Sequence, residues 1–548
     1  MTLSQLFNAQ TKTIAFAAGL LVMSSFISRV LGIVRSGLLS LQFGAGETTD
    51  IYLAAFRIPD FIYGILIMGG ISTVFLPLFS DFFQKQDKEA WRFTNNLLHI
   101  LVMTLVVLSG IAFLLAPWLV KLVAPGFSPE QQEVTAGLTR LMLLSPLFLG
   151  VSSIFSGMLQ YFGKFFAYSL APIFYNLGII AGILFLAPVF GIWGLGFGVV
   201  AGAFLHVAIQ IPAALSSGFR WQPLFDWKDQ AMSKVLRLAI PRTFAAAGLL
   251  INLIVVTALA SLISTGSITI FTFANDIQYF PIGLIGASFA LAAFPSLSRL
   301  FAEHKLELFR EAFGNTVRQV FFLVVPISLL AFLLRAQIVR LVYGVGSKFT
   351  WDDTRLTAAA LGIFAFGILF QAFIPFLART FFAMQNTKTP TVISIASVAF
   401  NIFLALFLVN ILAMPNILFN SLVSGLKLQG IADIRILALP LALTFSGVAQ
   451  AALLFLCLQK YVKETLQKDL YLSLLKTGIA SSVLAVVTYG ILQVYGGVFP
   501  LTTYEEVLGQ FVLASLGGCI AYISSTFFLK SPEMIYFWQA LQAKIYGK

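Results

Sequence analysis

The sequence predicts an all-α protein that crosses a membrane many times. Among its 548 residues, 59% are hydrophobic and 10% are charged, whereas ordinary soluble domains carry about 25% charged residues. The mean hydropathy is +0.94. Apolar runs of close to 20 residues, the length needed to cross about 30 Å of hydrocarbon, recur along the whole chain. Together these observations predict a polytopic membrane protein.

About fourteen apolar stretches are long enough to span a bilayer. Several breaks between them contain glycine or proline, as at residues 44–46, 124–126 and 188–191, where helices commonly end. We number the stretches spans 1 to 14 and expect them at residues 14–43, 50–80, 91–123, 131–162, 165–189, 192–216, 231–264, 268–302, 310–335, 352–384, 388–413, 432–461, 470–495 and 504–529.

The basic residues predict the orientation of these spans. With alternating topology, about 21 lysines and arginines fall at or near one side of the membrane and about 8 at the other. Because short cytoplasmic loops carry the excess of Lys and Arg, both termini are expected in the cytoplasm. The net charge of +12 is explained by these loops, so nucleic acid is not an expected partner.

The sequence gives little indication of a metal site or of an enzyme active site. The two cysteines, Cys457 and Cys519, lie in apolar stretches, which argues against a disulfide framework and a cysteine-based metal site. The three histidines are scattered, and no nucleophile, base and orienting group form a recognisable arrangement. We therefore predict no metal, no cofactor and no enzyme activity, with an intramembrane enzyme as the alternative.

One glycine-rich segment superficially resembles a dinucleotide-binding fingerprint. It lies inside span 6 with no strand before it, so close packing of helices is the preferred interpretation. Its glycines are Gly194, Gly196, Gly198 and Gly202.

An internal repeat organises the chain. Residues 75–80 at the end of span 2 are similar to residues 293–298 at the end of span 8, with an offset of 218 residues, and Arg92 meets Arg310 at the same offset. Further on, Lys164 and Asn176 pair with Lys388 and Asn401. Chance similarity between apolar helices is the alternative.

Each half of this repeat contains six spans, and an even number preserves the orientation of the second half. The halves are therefore predicted to be lobes related by a pseudo-two-fold axis along the membrane normal, with a cavity between them. We predict an N-lobe at 1–216 with spans 1 to 6 and a C-lobe at 217–461 with spans 7 to 12. Residues 462–548 supply spans 13 and 14 and a cytoplasmic tail.

Two arginines, Arg29 and Arg35, lie inside the first span. A charge near the middle of a membrane helix costs roughly 3 kcal/mol on insertion scales and is usually retained for a function. On a helix, Arg35 lies about 120° from Arg29 and about 9 Å further along the axis. Both can line one broad cavity that holds an anion. The alternative is that one or both side chains extend to the nearer interface.

Several segments resemble, in order, the motifs of the MurJ (MviN) family of lipid II flippases. The specific part is within the first eighty residues: residues 28–32 with Arg35, then 43–46, 49–50, 55–59 and 75–77. Later landmarks are 124–127, 171–172 with Asn176, Gln210 with Pro212, and 295–298.

This resemblance implies the fold and role of the larger multidrug, oligosaccharide-lipid and polysaccharide exporter superfamily. It implies two six-helix lobes plus two extra helices, and alternating access that carries an undecaprenyl-diphosphate-linked peptidoglycan precursor from the inner to the outer leaflet. The expected partners are that polyprenyl-diphosphate-linked glycan, the lipid bilayer and the cell-wall synthesis machinery. The expected location is the bacterial inner membrane. Spans 13 and 14 are expected to form a groove for the lipid tail.

The resemblance also implies the site residues. Arg29, Arg35 and Asp50 occupy motif positions that the family uses in its cavity and gate, Arg57 corresponds to another basic position, and Ser28 and Gly32 belong to the motif around Arg29. Arginine forks match phosphate oxygens in geometry and charge. A further candidate charge, Arg242, lies early in span 7, with a position at the cytoplasmic interface as its alternative.

The chain also departs from the family pattern. Tyr63 and Gly64 stand where relatives commonly place an arginine pair, and Met68 stands at an acidic position. In span 8, residues 274–276 read Ala-Asn-Asp instead of the familiar Ala-Asp-Arg. Asp276 is thus a candidate coupling residue for sodium or a proton, with a plain ion pair or a helix-end position as the alternative. Asn252 and Asn401 are further candidates, and the membrane potential is the other energy source considered.

Three functions remain open from the sequence. The leading interpretation is a lipid II flippase. A flippase for another polyprenyl-diphosphate-linked glycan is the second, because the altered cavity suits a different headgroup. A cation-coupled multidrug exporter is the third, although the arginines of span 1 would repel a cationic substrate. A membrane scaffold without transport activity is a further alternative.

Overall fold

The computed structural model describes residues 14–462 and 468–545 of the chain. Every regular element within these residues is a helix, which confirms the predicted all-α class. The first ten helices are α1 Ile14–Phe43, α2 Glu47–Ala55, α3 Arg57–Tyr63, α4 Ser72–Lys85, α5 Asp87–Val123, α6 Pro129–Met142, α7 Ser145–Tyr161, α8 Phe165–Ala181, α9 Ala187–Phe190 and α10 Ile192–Ala208.

The remaining α-helices follow at similar spacing. They are α11 Ile211–Ser216, α12 Gln230–Ser261, α13 Ser267–Pro281, α14 Ala287–Ala302, α15 Leu306–Leu333, α16 Arg335–Val342, α17 Trp351–Ala383, α18 Lys388–Ile411, α19 Ile417–Gly425, α20 Ala438–Val462, α21 Lys468–Val498, α22 Tyr504–Phe528 and α23 Pro532–Ile545. A 3₁₀ turn lies at Arg435–Leu437, and π-helical segments lie at Gly64–Ile71, Gly182–Leu186 and Ile282–Gly286.

Twelve helices of the described chain are long and apolar enough to cross a membrane. They correspond to the predicted spans other than 2 and 7. Span 2 is divided into short helices, and span 7 lies in α12, where the described apolar stretch Leu250–Ser261 is shorter than a span. The structure is therefore a multi-pass membrane fold, and the count of fourteen stays a prediction.

Span 2 is interrupted for reasons that are visible in the sequence. Pro59 has no N–H with which to bond the carbonyl of Ala55, which removes one helical hydrogen bond and weakens the helix around residue 56. The chain ends α2 at Ala55, turns at Phe56 and restarts α3 at Arg57. A π-helical segment then occupies Gly64–Ile71. Interrupted helices and π segments are common at functional sites of membrane transporters.

Packing divides the chain into two compact units, Met1–Thr269 and Ile270–Lys548. In the first unit, α12 packs against the π-helical segment Gly64–Ile71, α1 packs against α8, and α8 packs against α10. The lobe limits predicted at 216 and 461 describe halves of the repeat and stay a prediction. Packing itself places α12 with the first unit.

The glycines of span 6 serve close helix packing, as predicted. An added Cβ at Gly198 would lie 2.6 Å from the Cα of Gly182, and one at Gly202 would lie 2.5 Å from the carbonyl oxygen of Tyr175. A side chain at Gly202 would therefore force α10 away from α8, and one at Gly198 would force it away from the π-helical segment that follows α8. Small residues at such crossings let two membrane helices approach closely.

In the second unit, α17 packs against α14, α15 and α20, and α21 packs against α22. Its main core contains Phe313 and Phe376, whose rings stack at 5.2 Å between centroids. The C-terminal α23 is fixed by the buried Glu533, which accepts hydrogen bonds of 2.6 Å from Ser473 and Ser531. Arg318 also lies 3.6 Å from this carboxylate.

The π-helical segments provide one further parallel between the halves. Two of them begin at Gly64 and Ile282, which are separated by the same 218 residues that relate the repeated sequence motifs. The π-helical segment is thus repeated after the same offset as the sequence motifs. It is a backbone feature that the comparison of motifs does not use. The pseudo-two-fold axis itself stays a prediction.

Candidate anion-binding site in the first unit

Asn176 joins the arginine-bearing α1 to α8. Its amide nitrogen donates to the Ser28 hydroxyl at 3.2 Å and to the Ser28 carbonyl at 3.3 Å. Its amide oxygen accepts a 3.4 Å hydrogen bond from Arg35 and lies 4.0 Å from where a Cβ of Gly32 would be. Ser28, Gly32 and Arg35 therefore meet one buried side chain, and this contact holds the Arg35 guanidinium against α8.

Arg57 is oriented by the buried Thr257 of α12. Its Nε donates to the Thr257 hydroxyl at 2.8 Å, and the same hydroxyl donates to the carbonyl of Leu253 at 2.8 Å. This relay fixes the angle of the guanidinium at the first residue of α3. The C-terminus of α2, whose carbonyls carry partial negative charge, lies next to it in sequence and favours a cation there.

A carboxylate that the sequence reasoning missed, Asp60, lies within electrostatic range of both Arg57 and Arg35. Its side chain is exposed, and it lies among polar groups of neighbouring helices, Tyr52 of α2 and Tyr175 of α8 included. An exposed carboxylate among such groups is suited to line a polar passage. The available sequence signal was an acidic residue three positions after a basic one inside an apolar run, which places both on one helix face.

Three tyrosines complete what we call the arginine–aspartate cluster, defined as Arg35, Arg57, Asp60, Tyr52, Tyr63 and Tyr175. Tyr52 is 3% exposed, and within the described residues its hydroxyl has no hydrogen-bond partner. Tyr63 stands where the family pattern has an arginine. The cluster therefore brings two cations and three tyrosine hydroxyls around one carboxylate.

Gly64, another departure in span 2, lies at a close helix contact, whereas the side chain of Met68 is outside the described residues. A Cβ at this position would lie 2.7 Å from a methyl carbon of Leu250 in α12. A larger side chain at this position would require the Leu250 side chain to shift. A small residue here thus suits the close approach of α12 to the π-helical segment.

Asp50 has a different environment from that of the arginines. It is 2% exposed, and its carboxylate accepts hydrogen bonds from the Gly266 N–H at 2.6 Å, the Thr269 N–H at 2.9 Å and the Thr269 hydroxyl at 2.6 Å. It thereby caps the first turn of α13 from a distant part of the chain. A polar cavity of about 380 Å³ adjoins this cap and is lined by Glu47, Asp50, Gly126, Phe127, Gln131, Ser261, Leu262, Ile263, Ser264 and Thr265.

The structure describes the two other predicted cations, Arg29 and Arg242, in less detail. Arg29 is partly buried in α1, and among the described residues no hydrogen bond or ion pair joins its guanidinium. Arg242 lies in α12, and the structure describes its backbone but not its side chain. The structure thus brings Ser28, Gly32, Arg35 and Arg57 into one region, and Asp50 performs a separate capping role.

The three candidate coupling residues are on different helices. Asn401 is 2% exposed, and its amide oxygen accepts from Ser446 at 3.4 Å, which links α18 to α20. Asn252 is buried in α12, and Asp276 is partly buried in α13. Among the described residues there is no group of three or more His, Cys, Asp or Glu side chains arranged to hold a metal ion. A coupling role for these residues stays a prediction.

Comparison with known proteins identifies the family. A family model described as "Lipid II flippase MurJ" matches residues 39–507. The chain belongs to the MurJ family. The probable lipid II flippase MurJ of Buchnera aphidicola subsp. Schizaphis graminum is 30% identical over 412 residues, covering 74% of this chain and 78% of the relative. The lipid II flippase MurJ of Burkholderia cenocepacia is 28% identical over 387 residues, covering 69% and 75%.

Solved structures agree with the MurJ fold. A lipid II flippase MurJ in an inward closed conformation superposes with a TM-score of 0.73 at 22% identity, covering 93% of this chain and 99% of that one. An inward-facing multidrug resistance MATE family transporter of the MOP superfamily gives 0.62 at 15% identity, covering 85% and 96%. The fold is therefore that of the solved MurJ structure, and the MATE family transporter shares it.

Proposed function

We propose that this protein is a lipid II flippase that carries an undecaprenyl-diphosphate-linked peptidoglycan precursor from the inner to the outer leaflet by alternating access. The observation that carries the proposal is family membership over residues 39–507, together with the cationic cluster in span 1 and span 2. The protein transports its substrate and performs no covalent chemistry on it.

The physical problem is the diphosphate headgroup. Its charges would lose their hydration in hydrocarbon, and moving an isolated ion into such a medium costs tens of kcal/mol by simple solvation estimates. A passage lined by fixed cations and hydroxyls replaces that hydration. Arg35 and Arg57 present guanidinium groups within the arginine–aspartate cluster, and guanidinium forks match phosphate oxygens.

In this mechanism the orienting contacts of the arginines matter as much as their charge. Asn176 holds Arg35 against α8, and Thr257 holds Arg57 against α12. Arg29, partly buried on the same helix as Arg35, supplies a third cation to the headgroup. The headgroup therefore meets cations whose positions are set by helix packing and not by flexible loops.

Asp50 acts as a gate residue in this proposal. Its carboxylate accepts three hydrogen bonds from residues 266 and 269. These residues lie 216 and 219 positions away in the sequence. Alternating access requires contacts at one end of the passage that break in each cycle. A hydrogen-bonded cap that joins the start of span 2 to the start of α13 is suited to that task.

The membrane potential supplies the energy. An interior-negative potential favours outward movement of a negative charge by about 2.3 kcal/mol per charge per 100 mV. Asp276, with Asn252 and Asn401 as candidate helpers, binds a proton or sodium ion that returns the empty carrier. Both termini lie in the cytoplasm of a bacterial cell, and the cell-wall synthesis machinery receives the flipped precursor.

Complementation tests the proposal. In a bacterium depleted of its own lipid II flippase, the unmodified protein is expected to restore growth. Arg29→Ala is expected to abolish growth while the protein remains in the membrane, and Arg29→Lys to retain part of it, since a point charge lacks the bidentate geometry. Arg237→Ala, at an exposed arginine of α12, is the matched control and is expected to support growth.

Two outcomes would count against the proposal. Failure of the well-expressed unmodified protein to restore growth would argue for a different lipid-linked substrate. Full growth with Arg29→Ala would remove Arg29 from the binding site.

A further inference from the structure

Asp60 is unusual because of where it lies. It stands about ten residues into predicted span 2, or about 15 Å along a helix axis from the start of that span. A carboxylate at such a depth is expensive unless it serves a task. Its side chain is exposed and lies among polar groups of α1, α2, α3 and α8.

The groups that face Asp60 come from each helix around it. Arg57 lies three residues earlier on α3, on the same face, and Arg35 reaches it from α1. Tyr63 of α3, Tyr52 of α2 and Tyr175 of α8 also lie within its electrostatic range. Asp60 is the carboxylate among two cations and three hydroxyls.

We propose that Asp60 is an internal counter-anion: it neutralises Arg35 and Arg57 in the empty carrier, and the diphosphate of the substrate displaces it. This inference rests on the proposed function and assigns the residue that sets how tightly the arginine site holds its anion. Two unscreened guanidinium groups would hold a diphosphate too firmly for release on the other side. Conduction and transport both need binding that is strong enough for entry and weak enough for exit.

The difference in charge lets the exchange be reversed once the headgroup starts to leave. A diphosphate carries more negative charge than one carboxylate. When it is present, it therefore binds the arginines more strongly and displaces Asp60. Asp60 remains attached to α3 within electrostatic range of both arginines and competes again as soon as the headgroup begins to leave. Because buried charges are costly when unpaired, the empty site is stabilised by the same residue.

The Tyr52 hydroxyl is a second and independent observation at this place. It is buried and lacks a partner among the described residues, while Arg35 and Asp60 are both within its electrostatic range. A buried hydroxyl without a partner is costly. A phosphate oxygen that replaces the Asp60 carboxylate beside Arg35 would accept the hydrogen bond that Tyr52 can donate.

The test measures binding of undecaprenyl diphosphate to the purified full-length protein in nanodiscs. Asp60→Asn keeps the size of the side chain and removes its charge, and it is expected to bind this probe about tenfold more tightly, the equivalent of about 1.4 kcal/mol. The same variant is expected to slow net flipping, because release is retarded. Asp81→Asn, at an exposed aspartate near the end of the same span, is the matched control and is expected to match the parent in both assays.

A double-mutant cycle assigns the effect to the arginine. In an Arg57→Gln background, Asp60→Asn is expected to change the affinity much less than tenfold. The guanidinium that Asp60 neutralises is already absent in that background. Asp60→Ser serves as a second charge-removing variant if Asp60→Asn is not monodisperse after purification. Equal or weaker binding by both charge-removing variants would overturn the inference. A parent that binds no undecaprenyl diphosphate would instead overturn the proposed function, and the inference with it.

Discussion

Loss of the Asp50 carboxylate should loosen the start of α13 by a predictable amount. Asparagine at this position keeps one acceptor oxygen but presents an NH₂ group to a backbone N–H or to the Thr269 hydroxyl. At least one of the three hydrogen bonds, which measure 2.6, 2.9 and 2.6 Å, is then lost, and the others no longer involve a charged acceptor. Hydrogen bonds to charged groups contribute about 1.5–3 kcal/mol each, so we expect Asp50→Asn to cost about 2–4 kcal/mol.

Hydrogen exchange of the amides at Gly266 and Thr269 reports this change directly. A cost of 2 kcal/mol corresponds to about 30-fold faster exchange where local opening governs the rate. Thr269→Val, which removes the hydroxyl but leaves the backbone bond, is expected to accelerate exchange less, by about tenfold or below. Glu47→Gln is the control because Glu47 lies on the same short helix and is exposed. Unchanged protection in Asp50→Asn would refute the assignment of Asp50 as a cap.

Two further predictions concern topology and energy. Cysteines placed at Thr48 and Lys85 report sidedness: a membrane-impermeant reagent added outside should label position 48 and spare position 85, and the reverse pattern would invert the orientation. For coupling, Asp276→Asn in reconstituted vesicles is expected to lower flipping while a potential still stimulates it; an unimpaired variant would show that this charge has no part in coupling.

The features that could be predicted from the sequence are those that depend on a local pattern of residues. The apolar runs predicted the helices, the glycines of span 6 predicted close packing, and Arg29 and Arg35 marked α1 as more than a lipid-facing helix. Pro59 carried the signal for the break in span 2, although the prediction treated residues 50–80 as one span. These features follow from one segment of chain read by itself.

What the sequence did not yield depends on contacts between distant segments. The partners of Asp50 lie more than 200 residues away, so a position assigned to the cavity and gate by resemblance could not be recognised as a helix cap. Asp60 was missed because its significance comes from Arg35 on another helix. The close contact between residue 64 and the Leu250 side chain of α12 is visible only in the packed structure.

The most direct test of the central claim is flipping of fluorescently labelled lipid II in vesicles that contain only the purified protein. Loss of labelled headgroup from one leaflet, followed with an impermeant quencher, is expected to proceed far faster than in protein-free vesicles. The rate is expected to rise when an interior-negative potential is imposed in the physiological orientation. Flipping no faster than in protein-free vesicles, with the protein folded and inserted, would contradict the assignment of this chain as a lipid II flippase.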